Sequence, residues 1–432
     1  MHILILGGGI AGLALAGLID GTKHRVVVLE QDSPEEFAKK WNWYDNLNVA
    51  ELRRLGYGGV LPDSFPEQGK RTIASLSGKF KLRFRIERPL SYEQVSRQSL
   101  LANLREKARE NANLRYDTQA EALLIESGRV AGIILPDGRE IRADLTIDCT
   151  GVSEISKPLP GGSFLAEEDT MTVFRGIFPH EKKDTPPTMD CVAVRPLGTK
   201  GVSRYSLDAA DKADIFISRV GLAEANWAEG LLSNLLKQQS AWDEPDVPAG
   251  NWGEYKVPVR CPLTQMVFDG CALLGDSACM TSPFMGTGIV NALHGAKILA
   301  ELINDGGGAD MESLWKYQVR YYREAAKNTW RTDIMKRWLL KIPDELLERV
   351  FSSRIVSQQD AERIYTGRFF SLTPPDLLRR GLQLLPHPKL MISVLSMFSH
   401  AIWAEECGRS IPEEYNEKRV AAWQQRLARA ME

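Results

Sequence analysis

The chain has 432 residues with 54 Lys and Arg against 56 Asp and Glu, a net charge of −2, which excludes the strongly basic surface that a nucleic-acid partner requires. At 44% hydrophobic and 25% charged it has the make-up of a globular protein with a large core, long enough for two or three domains. Its six cysteines include no CxxC pair and its histidines no HxxxH or HExxH pair, so the reading is a cytoplasmic chain with reduced thiols and no protein metal site.

The opening segment, MHILILGGGIAGLALAGLI, has no basic leader and is shorter than the roughly 20 apolar residues that span a bilayer. It predicts a buried strand at Ile3–Leu6, a glycine turn and a buried helix. Gly7, Gly9 and Gly12 stand at GxGxxG spacing, with Ile10 and Ala11 inside the turn, and the next strand, from His24, ends in Glu30. Together these predict a dinucleotide-binding βαβ unit: the glycines let the backbone approach a pyrophosphate at a helix N-terminus, and the acid accepts ribose hydroxyls.

Further along, YEQVSRQSLLANL (92–104) predicts a strand running into a helix, with Arg97 at the junction. Alternating strands follow, turned at Ser127-Gly128 and Asp137-Gly138, and lead to Asp148-Cys149-Thr150-Gly151. Between Gly151 and Gly275 lie strand-like pieces such as 171–178 and 214–218, one helical run at 227–239 and a loop-rich stretch, EPDVPAGNWGEY. The apolar run 271–274 then ends in Gly275 and Asp276, and Pro283, Gly286 and Gly288 precede a helix from Ile289 to Ile303. A carboxylate at the carboxyl edge of a sheet can accept hydrogen bonds from a polyol chain. Glycines before a helix turn exposed N–H groups and the helix dipole toward an electron-rich ring edge.

An N-terminal GxGxxG paired with a late GDxA…PxxGxG resembles the para-hydroxybenzoate hydroxylase-like FAD superfamily, which contains flavin monooxygenases, flavin-dependent halogenases and geranylgeranyl-reductase-type enzymes. The resemblance covers about half the chain. It implies an α/β fold: a Rossmann-type, GR2-like FAD-binding domain with an inserted mixed β-sheet substrate domain and a helical C-terminal region. The expected boundaries are 1–75, 92–165 and 262–310 for the FAD-binding domain, 76–91 and 166–261 for the substrate domain, and 311–432 for the helices. By the resemblance, Glu30 would hold the adenosine ribose and Asp276 the ribityl chain, with Arg97 facing the cofactor. Gly286 and Gly288 would lie near the flavin pyrimidine edge.

Expected activity follows the same resemblance. The leading reading is an FAD-dependent monooxygenase that oxidises a small aromatic or lipophilic substrate through a flavin C4a-(hydro)peroxide. The alternatives are a geranylgeranyl-reductase-like enzyme, a halogenase supplied with reduced flavin, or a non-catalytic FAD-binding or electron-relay protein. NAD(P)H or a separate flavin reductase would supply electrons. Thr150 stands where many hydroxylases of the family carry the Asp of GADG, which points away from direct NAD(P)H reduction and toward the DxTG form of the reductase and halogenase branches. The WxWxIP signature of the halogenases is absent: Trp41-Asn-Trp43-Tyr44-Asp45 has no Ile-Pro.

On the substrate side, Phe174, Phe178 and Tyr205 are read as sheet core in preference to pocket lining. Arg175 is read as an outward-facing strand charge in preference to an anion anchor. His180 and His294 are weighed as acid–base groups, and neither is chosen. The aromatic and basic stretch at 330–341 and the apolar run at 382–403 are read as a helical cap packed on the FAD domain. A lid or peripheral membrane contact serving a lipophilic substrate is the alternative.

Overall fold

The computed structural model describes all residues except 67–68, 76, 78, 87–91, 154, 160–166, 180–189, 208–211, 222–226, 232–251, 327, 354, 366–368 and 371–372. His180, most of the predicted helix 227–239 and most of the loop that follows lie outside the described residues.

Strand β1 (His2–Leu6) has four of its five residues buried, as a strand apolar on both faces must. It pairs in parallel with β2 (Arg25–Leu29), and α1 (Ile10–Leu18) makes the crossover. After a short capped helix, α2 (Pro34–Lys39), come β3 (Tyr44–Asn48), α3 (Val49–Arg54), β4 (Ser64–Pro66), β5 (Gly69–Ala74) and β6 (Lys81–Ile86). The expected strand-to-helix segment is β7 (Tyr92–Ser96) followed by α4 (Arg97–Arg109), which Ser96 caps by accepting from the Ser99 N–H.

Strand β8 (Ala112–Arg115) extends the parallel sheet beside β2. The three strands β9 (Ala122–Glu126), β10 (Arg129–Ile134) and β11 (Glu140–Arg142) form an antiparallel meander. Its first turn is Ser127-Gly128, with φ of 50° and 82°, the left-handed pair that a two-residue hairpin demands. Strand β12 (Leu145–Asp148) then returns to lie parallel to β1.

The middle of the chain builds a second sheet from β13 (Thr170–Phe178), β14 (Asp190–Val194), β15 (Val202–Leu207), β16 (Ala213–Val220) and β17 (Gly253–Pro258). Its order is β17-β13-β16-β15-β14-β5-β6. The sequence reading placed residues 69–74 in the FAD-binding half. The structure corrects this: β5 runs parallel to β14 and antiparallel to β6, so the substrate sheet begins before residue 76. Local sequence could not show it, because the partner strand lies more than a hundred residues away. Phe174, Phe178 and Tyr205 are buried in this sheet's own core, as read.

Strands β18 (Val267–Phe268) and β19 (Cys271–Leu273) complete the first sheet, in the order β18-β19-β12-β1-β2-β8. Helix α5 (Ile289–Asn304) packs on α1, and seven more helices follow. They are α6 (Met311–Glu324), α7 (Thr329–Lys341), α8 (Asp344–Ser352), α9 (Gln358–Tyr365), α10 (Pro374–Leu384), α11 (Pro388–Arg409) and α12 (Glu417–Met431). Trp315, Tyr317, Trp330, Met397 and Trp423 bring α6, α7, α11 and α12 into one core with the parallel sheet, the expected cap. Leu347, Val350, Leu384, Leu390 and Val394 instead pack with Val194, Ile73 and Leu82 of the substrate sheet. No helix among the described residues is long and apolar enough to cross a membrane.

The basic residues of 330–341 do not form a surface. Fully buried Asp333 on α7 accepts from the Cys261 N–H at 2.8 Å and from Arg337 at 3.0 Å, and it pairs with Lys336 at 3.1 Å. Arg337 also reaches Asp169 at 2.8 Å, and Arg260 meets the same carboxylate at 3.3 Å. Burial alone would raise the Asp333 pKa, but Lys336, Arg337 and the Cys261 N–H more than reverse it and hold the carboxylate below its usual range. The network ties α7 to the segment where the chain leaves the substrate sheet and re-enters the first. Asp333→Ala is expected to destabilise the fold by about 3–5 kcal/mol, because it leaves buried Lys336 without its carboxylate and Arg337 with Asp169 alone; urea unfolding followed by circular dichroism measures this. Because the Asp333 pKa is lowered, its stabilisation is present above the ordinary carboxylate pKa and fades as pH falls through the folded value.

Candidate functional site

The carboxyl ends of β1, β12 and β19 meet at one crevice, and the residues singled out in the sequence gather there. Gly7 leaves β1 with φ of 97°, and a Cβ on it would stand 2.6 Å from the Cys149 carbonyl oxygen. A Cβ on Gly12 would stand 2.1 Å from the Gly7 oxygen. Neither position can carry a side chain. Gly9 differs: its φ is an ordinary −69°, and a Cβ there would have nothing within 4 Å. The N-terminus of α1 has no side-chain cap, so the N–H groups of its first turn, at Ile10 and Ala11, border this open space. An uncapped helix start above an open glycine suits an anionic phosphate group.

Glu30, at the end of β2, accepts from the Gly8 N–H at 2.9 Å and the Asp32 N–H at 3.0 Å. Its carboxylate is thereby fixed beside the glycine turn, where a ribose hydroxyl can reach it.

The second motif arrives from the far side. Gly275 takes φ of 76° and packs against α1: a Cβ on it would lie 3.0 Å from the Ala11 Cβ. The two glycine turns, more than two hundred and fifty residues apart in the chain, are thus in direct contact. Ser277 Oγ donates to Asp148 at 3.0 Å and accepts from the Gly151 N–H at 3.1 Å, joining the turn to the end of β12. Thr150 donates to Asp148 at 2.6 Å, so the residue that departs from the hydroxylase pattern serves to close this turn.

Asp276 accepts from Thr281 Oγ at 2.6 Å. Burial raises its pKa, while the Thr281 hydrogen bond and the nearby Arg97 cation lower it. Beyond buried Pro283, Gly286 turns with φ of 65°, and a Cβ on it would meet the Met171 methyl of β13 at 3.8 Å. A Cβ on Gly288 would collide with Thr281 Oγ at 2.2 Å. Gly288 leads into Ile289 of α5, whose N-terminus, like that of α1, lacks a side-chain cap. This places an open helix start and a half-buried carboxylate near β13 of the substrate sheet.

Arg97, the first residue of α4, has a further set of partners. It donates to Asp45 at 2.6 and 3.0 Å and lies 5.0 Å from the Trp43 ring centroid. Arg175 covers the same ring at 4.4 Å and pairs with Asp214 at 2.6 and 2.8 Å. Tyr255 meets Trp43 edge-on at 5.1 Å. Arg175 is therefore not the outward-facing strand charge that the sequence suggested: its side chain is 14% exposed and tied to Asp214, because β16 sets an acid beside it. Trp43, Asp45, Tyr255 and Thr281 were missed as site residues. The only local signal was the aromatic density of WNWYDN.

His294 lies on α5 and is mostly buried, 3.6 Å from Glu324. Desolvation lowers its pKa against the pull of Glu324, so it stays neutral near pH 7 and takes no part in the crevice.

This constellation defines an FAD-dependent oxidoreductase of the GR2-type fold. The chain belongs to the lycopene cyclase protein family, whose sequence profile matches residues 2–406. It is 24% identical over 430 residues to squalene epoxidase 4 of Arabidopsis thaliana, covering 90% of this chain and 78% of that one. It is 28% identical over 111 residues to the digeranylgeranylglycerophospholipid reductase of Methanothrix thermoacetophila, a match spanning only 25% of this chain and 28% of that protein. A geranylgeranyl bacteriochlorophyll reductase-like protein of Thermoplasma acidophilum has the same fold, with a TM-score of 0.69 and 15% identity over 92% of this chain and 98% of that one.

Because burial raises the Asp276 pKa, ionising it costs the folded apoprotein free energy that the unfolded chain does not lose. Apoprotein stability from this group therefore falls as pH rises from the ordinary carboxylate value through the raised one, and is level above it. Asp276→Asn is expected to raise the apoprotein melting temperature at pH 8 relative to wild type, with the difference vanishing at low pH. Differential scanning fluorimetry across pH checks this.

Proposed function

We propose that this enzyme carries out a flavin-dependent reaction at a carbon–carbon double bond of a lipophilic polyprenyl substrate, with hydrogenation as the leading reaction. The observation that carries the reading is the approach of the Gly275 turn to α1, with Gly286 of the same motif beside Met171 of the substrate sheet. The substrate class is supported by relatives named for geranylgeranyl groups, menaquinone and squalene.

The residues present fit FAD. Gly9 leaves a cradle that a Cβ would fill, and the uncapped start of α1 suits the pyrophosphate. Glu30 would receive the adenosine ribose, Asp276 the ribityl hydroxyls, and Gly286 with Gly288 the flavin pyrimidine edge. When bound and reduced, FAD supplies a two-electron reductant that the protein's own side chains cannot provide. The chain's part is to hold charge and keep out water. The N-terminus of α5 favours negative charge at its open end. Arg97, held by Asp45 and Trp43, adds a fixed cation whose field reaches Asp276. Buried Trp43, with the guanidinium groups of Arg97 and Arg175 packed on its ring, is held in place beside that cation. Thr150, in place of an acid, supports electron supply by a separate reductase.

A second reading, epoxidation or hydroxylation with oxygen, is favoured by the squalene epoxidase match, which covers 90% of this chain. Mass spectrometry separates the two. With dithionite as reductant and a geranylgeranyl lipid as substrate, anaerobic turnover is expected to add two hydrogens per bond. One added oxygen, formed only in air, would establish the second reading instead, and an isomer of unchanged mass would overturn both.

Gly9→Ala tests the cofactor site by itself. The added methyl meets no protein atom within 4 Å and the backbone conformation is ordinary, so fold and melting temperature of the apoprotein should hold. FAD in the purified protein, read at 450 nm, is expected to fall by about tenfold or more, because the methyl takes the space of the closest backbone approach to the pyrophosphate.

A further inference from the structure

Among the described residues ten large hydrophobic side chains are exposed, and eight of them lie between Leu377 and Trp403 on α10, α11 and the turn between them. On α10, Leu378, Leu382 and Leu385 recur at helical spacing and are 59–66% exposed. On α11, Ile392 and Leu395 are 66% and 59% exposed, and Trp403 follows at 42% on the same stripe. The opposite stripe of α11, Leu390, Val394, Met397 and Ala401, is fully committed to the core. These outer residues are therefore not core in search of a partner helix, and such a concentration exceeds the scattered apolar exposure of ordinary surfaces.

The charge pattern says what covers them. From Leu377 to Ala404 there is no acidic residue, whereas Arg379, Arg380 and Lys389 lie within the stretch. Arg379 and Arg380 are tied from behind to Asp360, and Lys389 stands exposed in the first turn of α11. With both arginines shared with Asp360, Lys389 is the exposed cation of this face and no acid lies within 377–404 to answer it, so a second copy would set like charge against like, at a repulsive cost. A lipid surface meets it with phosphate groups outside and acyl chains beneath, and Trp403 is the residue type that prefers that boundary. Helix α11 is about 33 Å long at 1.5 Å per residue, yet it is not apolar enough to span a bilayer. Its geometry suits lying in the interface.

The inner faces of the same helices, through Leu384, Leu390 and Val394, pack on Val194, Ile73 and Leu82 of the substrate sheet. We propose that the outer face of the α10–α11 hairpin docks on a lipid bilayer and brings the substrate sheet to the membrane that stores the lipophilic substrate. This rests on the polyprenyl reading for its purpose, but not for its test.

The test uses FAD-loaded protein, without substrate or reductant, in co-sedimentation with phosphatidylcholine vesicles with and without phosphatidylglycerol. Wild type is expected to pellet with vesicles, more so with the anionic lipid and less at high salt. Leu382→Glu with Leu395→Glu should lower the bound fraction by at least about tenfold, with flavin content and melting temperature unchanged. Quenching of tryptophan fluorescence by brominated lipid should diminish in Trp403→Phe. A wild type that stays in the supernatant with both vesicles overturns the proposal. So does a lipid-free dimer that the double substitution converts to monomer, since a second copy would then own the face. Vesicle binding without turnover of any polyprenyl lipid would leave this docking intact and sink the substrate class alone.

Discussion

The contact between Gly275 and Ala11 is the constraint around which the rest of the structure is arranged. A methyl group added to Gly275 would lie 3.0 Å from the Ala11 Cβ, so the turn after β19 can rest on the first turn of α1 only because it has no side chain there. The positive φ at the same residue removes any ordinary alternative. That contact sets one open helix start, at α1, beside one half-buried carboxylate, at Asp276. Asp148 reinforces it through Ser277 and Thr150, drawing the ends of β12 and β19 together.

Holding the crevice shut against the substrate sheet is a separate task, and charge performs it. Asp333 and Asp169 collect Arg260, Lys336 and Arg337 where the chain passes from one sheet to the other. Nearer the crevice, Arg97 of one half and Arg175 of the other both pack on Trp43 and approach Asp45. Buried pairs of this kind add little net stability over apolar packing, but each fails badly if one member is lost. They therefore specify how the two halves meet more than they strengthen either half. The C-terminal helices continue the theme: one group joins the core of the parallel sheet, the other seals the flank of the substrate sheet and leaves an apolar stripe outward.

Much of the nucleotide half was legible in sequence because its signals are local. A strand apolar on both faces, three glycines at fixed spacing and an acid at the next strand end each report on neighbours within a few residues, and the structure puts all of them in one crevice. The Ser127-Gly128 hairpin was legible for the same reason. The substrate side was not. Arg175 looked like a solvated charge because Asp214 and Trp43, which bury it, are remote in the chain. Strand β5 was assigned to the wrong sheet because its partner β14 comes much later. The basic residues of α7 were read as part of a packed cap, but the partners that take Lys336 and Arg337 inward were not visible, because Asp169 and the Cys261 N–H come from distant parts of the chain.

Sequence by itself determined that this chain folds around a Rossmann-like βαβ unit, that a second glycine turn precedes a long helix, and that helices close the C-terminal third. Those facts rest on backbone requirements that only particular residues meet: absent side chains at tight turns, and apolar repeats at the period of a strand or helix. Tertiary structure alone decided that the two turns touch, which arginines flank Trp43, and which stripe of α11 is left facing out. Each of these depends on pairs of residues brought together from distant parts of the chain, and burial, not identity, gives such residues their role.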